Sequence, residues 1–201
     1  MYCIGITGGS AGGKTTFVNL LKNKFSKDQV TFISLDDYYK ANTHLSMSER
    51  AKINYDHPNA IDFGLLNQHI TDLKNGIAVS KPTYDFTKHN RTSKTKTILP
   101  KKVLILEGIL ILNDPKILSA LDYTIFIDAS AQIRLERRIT RDIKDRGRTK
   151  NSVLKQWETT INPMHNQFVE PYKNIVDLII NGTQPFNKTM ENVSKIIKKH
   201  L

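Results

Sequence analysis

The segment Gly8-Gly9-Ser10-Ala11-Gly12-Gly13-Lys14-Thr15 stands directly behind the apolar run Tyr2-Cys3-Ile4-Gly5-Ile6, and that order constrains the chain more than any other feature. A β-rich run, a glycine loop and a Lys-Thr pair opening a helix fit G-x-x-x-x-G-K-[ST] at every fixed position. Such a loop curls so that successive backbone N–H groups point inward at phosphate oxygens, and side chains there would block the approach. Gly8, Gly9, Ser10, Ala11, Gly12, Gly13, Lys14, Thr15 and Thr16 therefore form the expected nucleotide-binding stretch. Lys14 reaches the β and γ phosphates as a point charge, Thr15 offers its hydroxyl to Mg²⁺, and the following helix aims its positive end at the anion. Phe17, Leu20, Leu21 and Phe25 give that helix an apolar stripe.

The 201 residues suit one domain with a sizeable core, carrying an insertion or lid. Cys3, the single cysteine, sits among apolar neighbours and reads as a core residue of a reduced intracellular protein. The start lacks the pattern of a signal peptide, and no run approaches the ~18 apolar residues of a membrane span, so a cytoplasmic protein without membrane contact is expected. Thirty Lys and Arg against nineteen Asp and Glu leave a net charge of +11, which fits either a polyanion binder or an enzyme acting on phosphate-bearing substrates. The lysines, among them Lys22, Lys24, Lys27, Lys74, Lys101 and Lys102, scatter through helix ends and loops. No aromatic-basic stacking motif accompanies them, which argues against a dedicated nucleic-acid role.

Strand-like runs recur at 2–6, 31–35, 103–106, 123–127 and 178–180, separated by segments of helical period. The alternation predicts an α/β fold with a parallel sheet and helices on both faces. Helices are expected over 62–74, capped by Asp62 and stopped by Gly76, over 130–144, capped by Ser130 and stopped near Gly147, and over 187–199. Residues 77–100 break the rhythm, suggesting a β-hairpin or irregular insertion at the carboxyl edge of the sheet, where open α/β folds bind ligands.

Asp36-Asp37-Tyr38-Tyr39 places two carboxylates at that edge. One could accept a proton from an attacking hydroxyl, and both could merely cap the next helix, a reading that suits Asp37 better than Asp36. The strand 103–106 ends in Glu107, positioned to hold a Mg²⁺ shell directly or through water. On the helix from Ser130, Leu135, Ile139 and Ile143 form an apolar stripe, with Arg134, Arg137, Arg138 and Arg141 roughly opposite and Arg146-Gly147-Arg148 beyond. Arg141, Arg146 and Arg148 suit a lid closing on phosphates, whereas Arg134 and Arg137 read as a solvated face.

Taken together, GGSAGGKTT from Gly8, SLDDYY from Ser34, NYDHPNAID from Asn54, PTYDFTKHNRT from Pro82, LEGIL from Leu106 and RRITRDIKDRGR from Arg137 resemble one family, the uridine-cytidine kinases of the phosphoribulokinase and uridine kinase group. The likeness spans nearly the whole chain. It implies a P-loop kinase domain over 1–201, with a substrate-side insertion at 77–100 and a lid at about 137–156. The reaction it implies is phosphoryl transfer from ATP, or GTP, to the 5′-hydroxyl of uridine and cytidine for pyrimidine salvage.

By the same resemblance Asp36 is the base, Lys14 and Arg141 act on the transferring phosphate, and Thr15, Glu107 and Asp36 surround Mg²⁺. Asp56 and Arg138 would hold the ribose hydroxyls, Tyr84 and His89 the pyrimidine, Tyr39 the pocket wall, and Arg146, Arg148 and Gln156 the lid and its surroundings. Gly12 stands where the family commonly has Ser. Homotetramers and restraint by CTP and UTP are further family expectations. The alternatives are a kinase for another small alcohol, such as phosphoribulose or pantothenate, and a basic, nucleotide-regulated RNA-binding protein.

Overall fold

Each of the five apolar runs forms a strand, and the five join in one parallel sheet. A computed structural model describes residues 1–26 and 28–201, so Lys27 lies outside the described residues. In chain order the elements are β1 (Tyr2–Thr7), α1 (Lys14–Lys24), β2 (Val30–Ser34), α2 (Met47–Arg50), α3 (Phe63–Lys74), β3 (Val79–Asp85), β4 (Asn90–Ile98), β5 (Val103–Glu107), α4 (Pro115–Ala120), β6 (Tyr123–Asp128), α5 (Ala131–Arg146), α6 (Lys150–Gln156), α7 (Asn162–Phe168), β7 (Leu178–Asn181) and α8 (Asn187–Lys199). The sheet runs β2-β5-β1-β6-β7.

Two-residue alternation splits the sheet's side chains between two cores. Ile4, Ile6, Val103, Ile105, Ile125 and Ile127 face α1 and α8, where Phe17, Leu21, Val193 and Ile197 bury against them. Cys3, Ile33, Leu104, Leu106 and Phe126 face the other way, onto Leu66, Ile70 and Leu73 of α3 and Ile117 of α4. Each such side chain removed from water contributes about 1.5–3 kcal/mol, and a parallel sheet covered on both faces needs the near-continuous apolar strands seen here. Val18 rather than Leu20 completes the buried stripe of α1, since Leu20 is 39 % exposed.

The helix ends follow side-chain chemistry. Asp62 caps α3 by accepting from the Leu65 N–H at 3.1 Å, and Ser130 caps α5 by accepting from Ile133. Residues 77–100 contain an antiparallel hairpin, β3 with β4, whose register shifts between Pro82 and Tyr84. Among the described residues no helix is long and apolar enough to cross a membrane.

The helix α5 departs from expectation. Its buried residues are Arg134, Arg138 and Asp142, while Ile143 is 45 % exposed and Leu135 and Ile139 are only half-buried. Arg134, expected in water, is 2 % exposed. Arg137 stays exposed, although its guanidinium donates to the Gly182 carbonyl at 2.9 Å. The helix packs against α6 and the glycine loop through its polar face, so its arginines are covered and its apolar stripe is left partly open.

Candidate active site

At the carboxyl edge of the sheet β1 runs into the glycine loop, β2 into Asp36, and β5 ends at Glu107, in register with Ile6 on one side and Ser34 on the other. The loop turns back on itself, the Gly12 N–H donating to the Gly9 carbonyl at 3.0 Å. A Cβ at position 12 would lie 2.9 Å from that same carbonyl oxygen, so a larger residue at this point requires the loop backbone to shift slightly. The Lys14 ammonium donates to the Gly8 and Gly9 carbonyls at 2.8 and 3.1 Å and is 8 % exposed. Burial pushes its pKa down, while Glu107 and Asp36 oppose that shift. Thr15 and Thr16, at the start of α1, are exposed.

Asp36 lies in a short 3-10 turn, Leu35–Tyr38, capped by the Ser34 hydroxyl. Burial, then the neighbouring Glu107 carboxylate, pushes its pKa up to about 6. Neither aspartate of the pair is the cap of this turn. Asp37 instead pairs with the buried Lys81 ammonium of β3, tying the turn to the hairpin.

The hairpin and residues 39–56 supply an aromatic wall. Tyr39 stands 5.1 Å from Tyr84 and 5.2 Å from Tyr55, ring centre to ring centre, and His89 stacks on Tyr55 at 5.5 Å with only 19° between the planes. His89 takes a left-handed backbone, φ 48°, and its carbonyl lies 3.3 Å from the Tyr55 hydroxyl. The Tyr84 hydroxyl is buried without a hydrogen-bond partner. Asp56 sits near these rings. Burial raises its pKa, and Arg138 is the foremost charge opposing that rise. The guanidinium of Arg138 bonds elsewhere, however, to the Ser10 hydroxyl at 2.8 Å and Gln156 at 3.4 Å, with Asp142 at 3.4 Å. Burial lowers its own pKa to about 10.

Arg141, Arg146 and Arg148 converge with Arg138 on Asp142. Gly147 ends α5 in the left-handed region, φ 62°, where its N–H and that of Arg148 both return to the Asp142 carbonyl. That turn folds Arg148 back toward the helix, and glycine takes the conformation at least cost. Arg148 also donates to the Gln156 carboxamide.

Four residues of the site went unrecognised as candidates: Tyr55, Arg134, Asp142 and Trp157. Arg134 lies against the phosphate loop, its Nη1 being 2.8 Å from where a Gly9 Cβ would stand. Its Nε donates to the Ala129 carbonyl at 3.1 Å and its guanidinium covers the Trp157 ring at 5.1 Å, leaving Nη1 buried and unpartnered. The four-residue spacing of Arg134 and Arg138 is the signal that could have found it, because Arg138 bonds the loop and one turn earlier falls on the same face. Nothing local marks Tyr55 or Trp157 apart from ordinary core aromatics.

Similarity to known proteins agrees with this geometry. The model of the phosphoribulokinase / uridine kinase family matches residues 3–189. A uridine kinase of Clostridium perfringens is 49 % identical over 177 residues, covering 88 % of this chain and 85 % of its own. One from Vibrio cholerae is 49 % identical over 181 residues with the same coverage. Among solved structures, phosphoribulokinase from Rhodobacter spheroides superposes with a TM-score of 0.65 at 15 % identity, over 92 % of this chain and 73 % of its own, a likeness of fold. The match across nearly the whole sequence, on a glycine loop and carboxylate edge built as such kinases require, establishes that this chain belongs to the phosphoribulokinase / uridine kinase family.

Proposed function

We propose that the protein is a nucleoside kinase that transfers the γ-phosphate of ATP, or of GTP, to the 5′-hydroxyl of uridine and cytidine. The observation that carries this reading is the junction of Asp36 with two different surroundings: Glu107 and Lys14 of the phosphate side act on its charge, and so does Asp56 of the aromatic side. A hydroxyl presented from the aromatic side would meet a carboxylate whose pKa of about 6 leaves it ionised at neutral pH and basic enough to take a proton. Because the phosphoryl transition state is loose, Asp36 also serves by aligning the oxygen.

The residues suit Mg²⁺. Among the described residues no group of three or more His, Cys, Asp or Glu gathers as a metal cluster. Mg²⁺ needs none, since it takes one or two protein oxygens and fills its octahedron with phosphate oxygens and water. Thr15, Glu107 and Asp36 would hold it, and the mutual repulsion of Glu107 and Asp36 is what a cation relieves. Bound there, Mg²⁺ would neutralise charge on the β and γ phosphates.

The remaining roles follow from this chain's own groups. Lys14 would exchange its two loop carbonyls for phosphate oxygens. Tyr39, Tyr84 and His89 would hold one six-membered base, with His89 able to donate to uracil or accept from cytosine. Asp56 would take the ribose hydroxyls with Arg138, and residues 137–156, with Arg141, Arg146, Arg148 and Gln156, would close over the phosphates. The reading extends to one domain over 1–201, a cytoplasmic setting, feedback by CTP and UTP and a homotetramer. Exposed Ile77 and Leu99, near the base of the hairpin, offer apolar surface for assembly.

The test is phosphorylation of uridine, cytidine, deoxyuridine, adenosine, pantothenate and ribulose 5-phosphate with ATP and with GTP. Uridine and cytidine should react, and deoxyuridine should be disfavoured, by up to ~10⁴ where a site is built around the missing hydroxyl. Preference for pantothenate or ribulose 5-phosphate would overturn the reading.

A further inference from the structure

Asp142 is the only carboxylate that α5 buries, and it is 0 % exposed. A lone charge there must be compensated by neighbours, and four guanidiniums are present where one would do. Arg141 supplies the firm contact, its Nε and Nη2 lying 2.9 and 2.8 Å from Oδ1. The other three are loose: Arg138 Nε at 3.4 Å, Arg148 Nη1 at 3.6 Å and Arg146 Nε at 3.7 Å. Asp142 Oδ2 and Arg138 Nε are each buried with no hydrogen bond. Asp142 therefore touches four guanidiniums, of which Arg138, Arg141 and Arg146 also act on the Asp56 carboxylate, and most of its own contacts are weak enough to exchange.

Position decides which arginines can leave. The side chain of Arg138 is 7 % exposed and fastened to Ser10 of the glycine loop, whereas Arg141, Arg146 and Arg148 are 34, 47 and 28 % exposed. These three are also the ones expected to meet phosphates. A phosphate oxygen and Asp142 cannot both take the same N–H fork at full strength.

We infer that Asp142 is a positioning residue that competes with the nucleotide's phosphates for Arg141, Arg146 and Arg148, fixing where these guanidiniums wait and lowering the ground-state affinity for polyphosphate. The inference rests on the kinase reading above. Phosphate binding then costs the release of contacts to Asp142, and binding energy is kept from making the ground state too deep, which preserves turnover.

Asp142→Asn keeps the shape and removes the competing charge. Calorimetric titration with inorganic tripolyphosphate and with ADP should show both binding about tenfold more tightly than to wild type, while kcat falls because the arginines lose their resting alignment. A merely structural Asp142 would give unchanged or weaker binding alongside a lower melting temperature, and that result overturns the inference. Should the variant fail to fold, ¹⁵Nε resonances of the arginines in wild type serve instead. Saturation with tripolyphosphate should shift the Arg141 Nε–H signal, and an unmoved signal overturns the inference equally. Wild type that binds neither ADP nor tripolyphosphate would sink the kinase reading and this inference together, so the two failures are told apart.

Discussion

Burial holds Asp36 in an unfavourable state that the proposed kinase chemistry would use. Burial and the Glu107 charge raise its pKa to about 6, so the folded protein holds its proton more tightly than the unfolded chain does. A carboxyl raised in this way gives up stability as pH climbs through 6, and the cost is absent below the unfolded value near 4. Two outcomes follow for Asp36→Asn. Above pH 6 the variant should melt at a higher temperature than wild type, with the difference vanishing toward pH 4, while kcat falls by ~10²–10⁴ if proton transfer is assisted. In wild type, kcat/KM for uridine should rise with pH through about 6 as the base ionises. Equal melting of the two proteins at pH 8 would contradict the buried-carboxylate account, and a flat pH profile between 5 and 8 would remove Asp36 as base. Asp36 was legible from its place after a strand. The Asp37 ion pair was not, because Lys81 lies 44 positions away and no local pattern links them.

At the scale of elements, α5 marks the limit of reading periodicity. Leu135, Ile139 and Ile143 repeat every four residues and predict a core stripe, yet the buried face is Arg134, Arg138 and Asp142. Periodicity identifies two faces of a helix, and burial depends on what each face meets; here it is the phosphate loop, whose backbone dipoles and expected anions suit guanidiniums better than leucines. The strands carried no such ambiguity, since apolar runs bounded by Gly, Asp and Ser had one place to go, and α1 departed from its expected stripe only in burying Val18 in place of Leu20. The hairpin at 77–100 was legible from its break in rhythm, whereas α6, capped by Thr149 accepting from the Ser152 N–H at 3.2 Å, is only seven residues long, and the π-helical turn Trp157–Ile161 and α7 have no side-chain cap to mark them. The two faces of α5 make a direct comparison. Arg134→Ala removes a buried brace against Gly9 and Trp157 and should cost about 2–4 kcal/mol, with weaker ADP binding as the loop loosens. Arg137→Ala, on the exposed face, loses one hydrogen bond to the Gly182 carbonyl and should cost only about 0.5–1.5 kcal/mol. Urea denaturation of both variants measures the difference, and equal losses would return Arg134 to the solvated role that periodicity suggests.

Across the whole molecule, a charge of +11 creates a field that acts on polyanions and not on neutral solutes. In the proposed reaction ATP would carry negative charge into the site and uridine none, so the two would report on the field separately. Salt shortens the Debye length from about 30 Å at 0.01 M to about 8 Å at 0.15 M, which screens the scattered lysines while leaving the buried Lys14 and Arg138 contacts largely intact. The KM for ATP should therefore climb several-fold over that range, while the KM for uridine and kcat hold nearly constant. The RNA-binding alternative makes a different demand on the same charge. A surface that engages many phosphates loses affinity by ~10³–10⁵ between 50 and 200 mM salt, and its lysines must form a continuous track. Here Lys81 is buried on Asp37 and Lys173 pairs with Asp128 and Glu170, which withdraws charge from any such track. RNA retention measured beside nucleoside kinetics at each salt concentration decides between them. Salt-sensitive KM for ATP with negligible RNA retention at 0.15 M is the outcome expected of a steered kinase. Tight RNA binding that persists at 0.15 M, with no change in the KM for ATP, would assign the charge to nucleic acid instead.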